Sequence, residues 1–335
     1  MHNVTLIKGD GIGPSIMEAA VKIIDASGVN INWEEADAGM AAFDKHGTPL
    51  PDETLASIDK SRVAFKGPLT TPVGGGFRSI NVALRQKYDL YANVRPAKTW
   101  KGAQSKFEDI DIVVVRENTE GLYLGLEHYL TRHKDVAESL AVITKEGSER
   151  IVEYAFKYAK ENGRKKITAC HKANILKYTS GLFLDTAREV AARYPEIEFD
   201  EMIIDATCMH MVMNPHQFDV VVTTNMFGDI LSDLTAGLVG GLGLIPGANI
   251  GEDASLFEAV HGSAPDIAGK NIANPTAVIM AGVMMLNHLG ETEAASRIKA
   301  AVEQVVEAGE MVTPDLNPES KAGTIEMAEA IIAAL

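Results

Sequence analysis

Short apolar runs alternate along this chain with stretches whose apolar residues recur at helical spacing, and this alternation constrains the fold more than any other feature. Residues 4–7 read as a buried strand, and Pro14 then opens a helix with apolar positions at Ile16, Met17, Ala20, Val21, Ile23 and Ile24. Further short buried strands are expected at 112–115, 202–204 and 220–223, and helices at 149–160, 176–193 and 276–289. Strands that alternate with helices predict a mostly parallel sheet covered on both faces. A chain of 335 residues is long for a single core, and suits one large α/β domain or two intergrown ones. No repeat and no Ser/Gly linker marks a boundary, so two domains would require the chain to pass between them more than once.

Composition removes several function classes. With 46% hydrophobic and 23% charged residues, extended disorder is excluded. The longest nearly uncharged apolar stretch, 277–286, is shorter than the ~20 residues a membrane span needs. The strand-like run begins at once, so no signal or transit peptide is expected. Two cysteines, Cys170 and Cys208, allow no disulfide framework, which fits a reducing cytoplasm. Thirty-one basic against 46 acidic residues give −15, a surface that repels nucleic acid.

Against that balance, one segment is basic. Between positions 78 and 106, seven basic residues (Arg78, Arg85, Lys87, Arg95, Lys98, Lys101, Lys106) face one acid, Asp89. A solvated helix face is one explanation; a pocket for a small polyanion is the other, since arginine forks match carboxylates. Arg78, Asn81 and Arg85 share a helical face, with Ser79 beside them. The loop before them, Lys66-Gly67-Pro68-Leu69-Thr70-Thr71-Pro72-Val73-Gly74-Gly75-Gly76, has the composition of a binding loop or lid. Gly9-Asp10-Gly11-Ile12-Gly13-Pro14 looks like a dinucleotide turn but fails the G-x-G-x-x-G test, because position 14 is proline.

Asp229 and Asp233 lie four apart after Asn225-Met226-Phe227-Gly228. On a helix their Cβ atoms would be ~5–6 Å apart. Such a pair either caps a helix start or invites a hard cation such as Mg²⁺ or Mn²⁺, to which Asp205 could add a third oxygen. Arg116-Glu117-Asn118-Thr119-Glu120-Gly121-Leu122-Tyr123 follows a buried strand, where polar groups gather in α/β active sites. In Cys170-His171-Lys172 a Cys–His nucleophile is disfavoured because neighbours on a strand point to opposite faces; Lys172 is the better candidate. His261-Gly262-Ser263-Ala264-Pro265-Asp266-Ile267 is too irregular and polar to be core.

Together these segments resemble the decarboxylating β-hydroxyacid dehydrogenases, the family of isocitrate, isopropylmalate and homoisocitrate dehydrogenases. The resemblance runs from Lys8-Gly9-Asp10 to the C-terminus. It is carried by Leu84-Arg85, Asn93-Val94-Arg95-Pro96, Arg116-Glu117-Asn118, Asn225-Met226-Phe227-Gly228-Asp229 and His261-Gly262-Ser263-Ala264-Pro265 in that order. It implies an α/β, three-layer isocitrate/isopropylmalate dehydrogenase-like fold, not a Rossmann fold, with two intergrown domains. Residues 1–98 with 250–335 would form the large domain with the cofactor loop, and 99–249 the small domain with a compact intersubunit clasp and the dimer interface.

The implied reaction passes hydride from C2 of a 2-hydroxy acid to the nicotinamide and then releases CO₂ from C3. By resemblance, Asp205, Asp229 and Asp233 hold Mg²⁺ or Mn²⁺, which acts as a Lewis acid. Lys172 serves in removing the hydroxyl proton, directly or through an aspartate or water, and Tyr123 returns a proton to C3. Arg85, Arg95 and Arg116 hold carboxylates. Thr70 lies near the nicotinamide; Glu258, His261 and Asn274 line the adenosine side, and Asn174, Gly262, Ala264, Asp266 and Ile267 complete the cofactor set. Lys172 and Asp205 reach into a partner's site, which implies a homodimer.

Ser79 and Asn81 resemble the pair that holds the extra carboxylate of isocitrate, where an isopropylmalate enzyme needs apolar contacts. Asp266-Ile267 stands where NADP-linked relatives carry a lysine and a tyrosine, and a carboxylate there favours ribose hydroxyls over a 2′-phosphate. The expected protein is therefore a cytoplasmic NAD-dependent isocitrate dehydrogenase of the tricarboxylic acid cycle. Homoisocitrate, isopropylmalate and a non-catalytic regulatory subunit are the alternatives; Tyr123, Lys172, Asp205, Asp229 and Asp233 are all present, unlike in a subunit that has lost catalysis.

Overall fold

A computed structural model describes residues 1–71 and 79–335. Its strands are β1 (His2–Ile7), β2 (Ile31–Glu35), β3 (Val63–Lys66), β4 (Ala92–Lys98), β5 (Asp111–Glu117) and β6 (Glu127–Tyr129). They continue with β7 (Ala137–Ser139), β8 (Lys166–His171), β9 (Glu198–Ile203), β10 (Val220–Thr223), β11 (Pro246–Ile250) and β12 (Ser255–Ala259). The helices are α1 (Gly13–Ala26), α2 (Met40–His46), α3 (Asp52–Ser61), α4 (Ile80–Lys87), α5 (Lys145–Glu161) and α6 (Thr179–Ala191). After them come α7 (Ile204–Met213), α8 (Asn225–Val239), α9 (Thr276–His288), α10 (Thr292–Ala308) and α11 (Thr324–Ala333).

Two compact units divide the chain, one of Met1–Leu84, Lys98–Glu108 and Ala236–Leu335, the other of Arg85–Ala97 and Asp109–Thr235. These bounds differ from the expected divisions at 98/99 and 249/250: 85–97 falls in the second unit, and 99–108 and 236–249 in the first. No change of composition accompanies these crossings, so the sequence offers nothing that would mark them.

In the first unit the strand order is β2-β1-β3-β12-β11, parallel throughout except that β11 runs antiparallel to β12. Val4, Thr5, Leu6 and Ile7 are all buried. Since successive strand side chains face opposite ways, both faces of β1 are covered, as the alternation predicted. Helix α1 buries Ile16, Met17, Ala20, Ile23 and Ile24, each worth up to roughly 1.5–3 kcal/mol for the large aliphatics, and packs against α9 and α11. Helix α9 is buried on every side from Thr276 to Val283, which accounts for its unbroken apolar run without a membrane. Among the described residues no helix is long and apolar enough to cross a membrane.

In the second unit the order is β4-β5-β10-β8-β9, with β5, β10, β8 and β9 pairing in parallel. Val220, Val221, Val222 and Thr223 are buried, so both faces are covered here too. An antiparallel pair, β6 with β7, is exposed throughout. Two expected boundaries move. Helix α6 begins at Thr179, leaving Leu176 and Tyr178 exposed. The strand expected to run through Ile204 ends at Ile203, and α7 starts at the next residue.

Candidate active site

Parallel pairing decides which polar residues meet in the second unit. Arg116 near the end of β5 sits opposite Thr223, the last residue of β10, and Asn225 opens α8 two residues later. Cys170 of β8 also pairs with Thr223, and His171 pairs with Ile203, so Lys172 and Asp205 emerge at this same edge. The carboxyl ends of parallel strands are where α/β proteins gather their chemistry.

Arg116 is 1% exposed. Its Nε and Nη2 donate to Asn225 Oδ1 at 3.0 and 2.8 Å, and its Nη1 donates to Asp229 Oδ1. Gly228 makes this approach possible, because a Cβ there would overlap the Arg116 side chain. The Arg116 guanidinium lies 4.9 Å from the centre of the Tyr123 ring, and Tyr123 OH donates to Asp229 Oδ2 at 2.5 Å. Arg95, 7% exposed on β4, donates from Nη1 to Ser232 Oγ at 2.5 Å and stands 3.7 Å from Asp229 and 3.9 Å from Asp233. Arg85 is buried in the last turn of α4.

Electrostatics separate the two α8 carboxyls. Burial pushes Asp229 up, but Arg116, the Tyr123 hydroxyl and Arg95 more than offset it, and the group ends below its usual value. Asp233 ends above its own: partial burial and the charge of Asp229 outweigh the pull of Arg95 and Arg116. Tyr123 is raised by burial and by its bond to Asp229, so it remains a protonated phenol.

Lys172 Nζ donates to Asp205 Oδ1 at 2.5 Å, which, as the largest effect, holds the Asp205 carboxyl below its usual value. Asp205, expected at a strand end, is in the first turn of α7 and exposed. Within one chain the three expected aspartates do not converge, and no three His, Cys, Asp or Glu side chains form a metal-sized group among the described residues. The donor chemistry fits in part. Two hard carboxylates one turn apart on α8 suit Mg²⁺ or Mn²⁺, and a third oxygen must come from elsewhere. Asn174 is exposed in the turn after Lys172.

In the first unit, three motifs far apart in sequence close on one another. Asp10 N donates to Pro68 O at 2.8 Å and Ile12 N to Ser263 O at 2.9 Å. Thr70 Oγ1 meets Ser263 Oγ at 2.7 Å. Gly11, at φ 60°, lies so close to Ser263 that no Cβ would fit. The Asp10 carboxylate accepts from Thr70 N at 2.8 Å and from Met40 N at 3.0 Å, tying the loop to the start of α2. Glu258 pairs with Lys66 Nζ at 2.6 Å inside the unit. Asn274 accepts from Thr276 N, the first residue of α9, at 2.9 Å and donates to Asp315 at 3.0 Å.

His261 Nδ1 lies 3.0 Å from Gly262 O, while its buried Nε2 has no hydrogen-bond partner among the described residues. Burial lowers its pKa, so it is a neutral ring with an unmet polar atom. Ala264 adopts the left-handed conformation before a short turn that presents Asp266 exposed and Ile267 half-buried, with Gly262 exposed nearby. An unmet ring nitrogen beside an exposed polar loop is the kind of donor set that a dinucleotide could use. Ser79 and Asn81 are half-buried at the head of α4, and Asn81 Oδ1 is buried with no partner among the described residues. Arg78 and the glycine run 74–76 lie outside the described residues.

Three residues to which the sequence assigns no role hold others in place: Asp10, Asn225 and Ser232. Asn225 and Ser232 are 1% and 0% exposed. The signal available for them was their polarity at helix positions that otherwise read as core.

A sequence model of isocitrate/isopropylmalate dehydrogenases matches residues 3–331. Catalytic subunit 5 of the mitochondrial NAD isocitrate dehydrogenase of Arabidopsis thaliana is 51% identical over 328 residues, 98% of this chain and 87% of that one. A 3-isopropylmalate dehydrogenase of Archaeoglobus fulgidus is 50% identical over 335 residues, 100% of both. The crystal structure of an isocitrate dehydrogenase from Methylococcus capsulatus superposes with a TM-score of 0.98 at 64% identity, covering 100% of this chain and 99% of that one.

Proposed function

Because the chain belongs to the isocitrate/isopropylmalate dehydrogenase family, we propose that it is an NAD-dependent isocitrate dehydrogenase that yields 2-oxoglutarate and CO₂. Relatives of both substrate types lie at about equal identity, so the choice rests on the polar head of α4. The buried amide oxygen of Asn81 has no partner there among the described residues. Oxygen and nitrogen of an amide are assigned from their surroundings, so a carboxylate can meet the side chain through its NH₂. An isopropyl group would leave it desolvated and unpaired, a cost of roughly 1–3 kcal/mol or more.

Arg85, Arg95 and Arg116 would supply the forks that hold the substrate's carboxylates. Asp229 and Asp233 are the residues that would hold Mg²⁺ or Mn²⁺, with Asp205 supplied by a second copy of the chain. When bound, such a metal would supply Lewis acidity and NAD would supply a hydride acceptor. Lys172, with Asp205 as its immediate partner, would take part in removing the hydroxyl proton, directly or through that carboxylate or a water. Tyr123 delivers a proton to C3 once CO₂ has left, a task suited to a phenol kept neutral by its surroundings. The homodimer reading is supported by α7, which carries Asp205 together with exposed Met209, Val212 and Met213. Free, largely buried Cys170 and half-buried Cys208 fit the cytoplasm.

The purified protein, assayed with Mg²⁺ or Mn²⁺ for formation of reduced nicotinamide, should favour isocitrate over isopropylmalate and homoisocitrate in kcat/KM by at least ~100-fold over isopropylmalate. Preference for isopropylmalate would keep the family and overturn the role of Ser79 and Asn81. Cofactor choice has its own test. Asp266 is exposed at the adenosine loop, and replacing it and Ile267 with Lys and Tyr should move the NADP/NAD ratio of kcat/KM upward by roughly 10-fold or more. An unchanged ratio would place specificity elsewhere.

A further inference from the structure

We propose that Ser232 is a positioning residue for substrate binding, one that aims the Arg95 guanidinium at the substrate and keeps it off the carboxylates of α8. The proposal rests on the reading of Arg95 as a carboxylate-holding residue. Asn225, Asp229, Ser232 and Asp233 fall at intervals of four, three and one along α8, and so occupy neighbouring turns of one helix. Asn225 fixes Arg116 through two bonds to one oxygen. Ser232 stands in the same relation to Arg95.

The hydroxyl is fixed from both sides. Ser232 Oγ donates its only hydrogen to the Asp229 carbonyl at 2.9 Å, which leaves its lone pairs for Arg95 Nη1 at 2.5 Å. Both residues are more than nine-tenths buried, at 0% and 7% exposure, so water cannot take over this bond. The neighbouring carboxylates stand farther away, at 3.7 Å for Asp229 and 3.9 Å for Asp233. A guanidinium released from Ser232 is close enough to swing onto either. There it would form a tight ion pair, compete with a bound cation for the same oxygens, and no longer present its fork to a substrate carboxylate. The hydroxyl therefore divides the work of two groups that attract each other, keeping the cation for the substrate and the anions for the metal.

A double-mutant cycle on the full-length protein tests this, with magnesium isocitrate binding measured by calorimetry alongside kcat and KM. Ser232→Ala should weaken isocitrate binding and raise KM by about 10-fold, with kcat changed by less than about 3-fold. In an Arg95→Ala background the same substitution should change binding by less than about 2-fold, because there is no guanidinium left to aim. An equal loss in both backgrounds, or no loss in either, would overturn the proposal. If Arg95→Ala alone binds isocitrate as tightly as the unsubstituted protein, the carboxylate-holding role of Arg95 has failed, and the positioning role with it. Ser232→Cys keeps the volume and weakens the acceptor, so it provides the same comparison should the alanine protein not fold.

Discussion

Replacing Asp229 with asparagine should lower kcat/KM by on the order of 10³ and loosen Mn²⁺ binding by at least ~100-fold. Arg116 Nη1, Tyr123 OH and, farther off, Arg95 converge on Asp229. Asparagine keeps an oxygen for one of these donors and removes the charge that balances a guanidinium which is itself 1% exposed. The loss should therefore show in the fold as well, as a thermal midpoint several degrees lower, from roughly 1–3 kcal/mol of weakened pairing. Titrating Mn²⁺ by spin resonance on the variant, without substrate, separates metal affinity from turnover. A titration superimposable on that of the unsubstituted protein would remove Asp229 from the metal-holding residues.

Tyr123→Phe should reduce kcat for oxidative decarboxylation by roughly 10²–10⁴-fold while leaving KM within about 3-fold. The ring is retained, so its contact with the Arg116 guanidinium at 4.9 Å survives; only the hydroxyl that donates to Asp229 at 2.5 Å is lost. Because burial and Asp229 both raise its pKa, the tyrosine carries its proton across the neutral range, and phenylalanine carries none. The defect should be confined to steps after CO₂ departs. Reduction of the corresponding β-keto acid by reduced NAD, which needs no proton at C3, should proceed at close to the normal rate. Unimpaired overall turnover would assign the C3 proton to another group; equal impairment of both reactions would make Tyr123 a binding or structural residue.

The two substitutions also bear on each other. With Asp229 neutral, one of the influences that raise Tyr123 disappears, so the phenol should titrate at lower pH in Asp229→Asn than in the unsubstituted protein. The difference is readable in the ultraviolet absorbance of the phenolate.

Local sequence determined a good deal of this protein. Residues 4–7, 112–115 and 220–223 are fully apolar or nearly so because strands buried on both faces require it, and those strands were found in place. Apolar spacing set the core faces of α1 and α5, and the proline at position 14 fixed where α1 begins. The motif order around Arg85, Arg95, Arg116, Asn225 and His261 was sufficient to identify the family, which the match over residues 3–331 shows. Each of these signals lies within a window of a few residues, where spacing and residue type act directly on the backbone.

What the tertiary structure alone decided is which distant residues share a site. Arg116 and Asn225 are 109 positions apart, and they meet because β5 and β10 pair in parallel with Arg116 opposite Thr223. Thr70 and Ser263, 193 positions apart, meet through the order β1-β3-β12. The same holds for Asp10, whose carboxylate ties Thr70 to the start of α2, and for Ser232, whose hydroxyl holds Arg95. A serine between two aspartates on a helix has no local signature of that task, because its partner is chosen by strand order. Where α7 begins was settled the same way: Ile203 and Ile204 are alike as residues, and only pairing with His171 ends the strand at the first of them. Strand register and topology are properties of the whole chain, since each buried polar group accepts whichever partner the packing brings within reach.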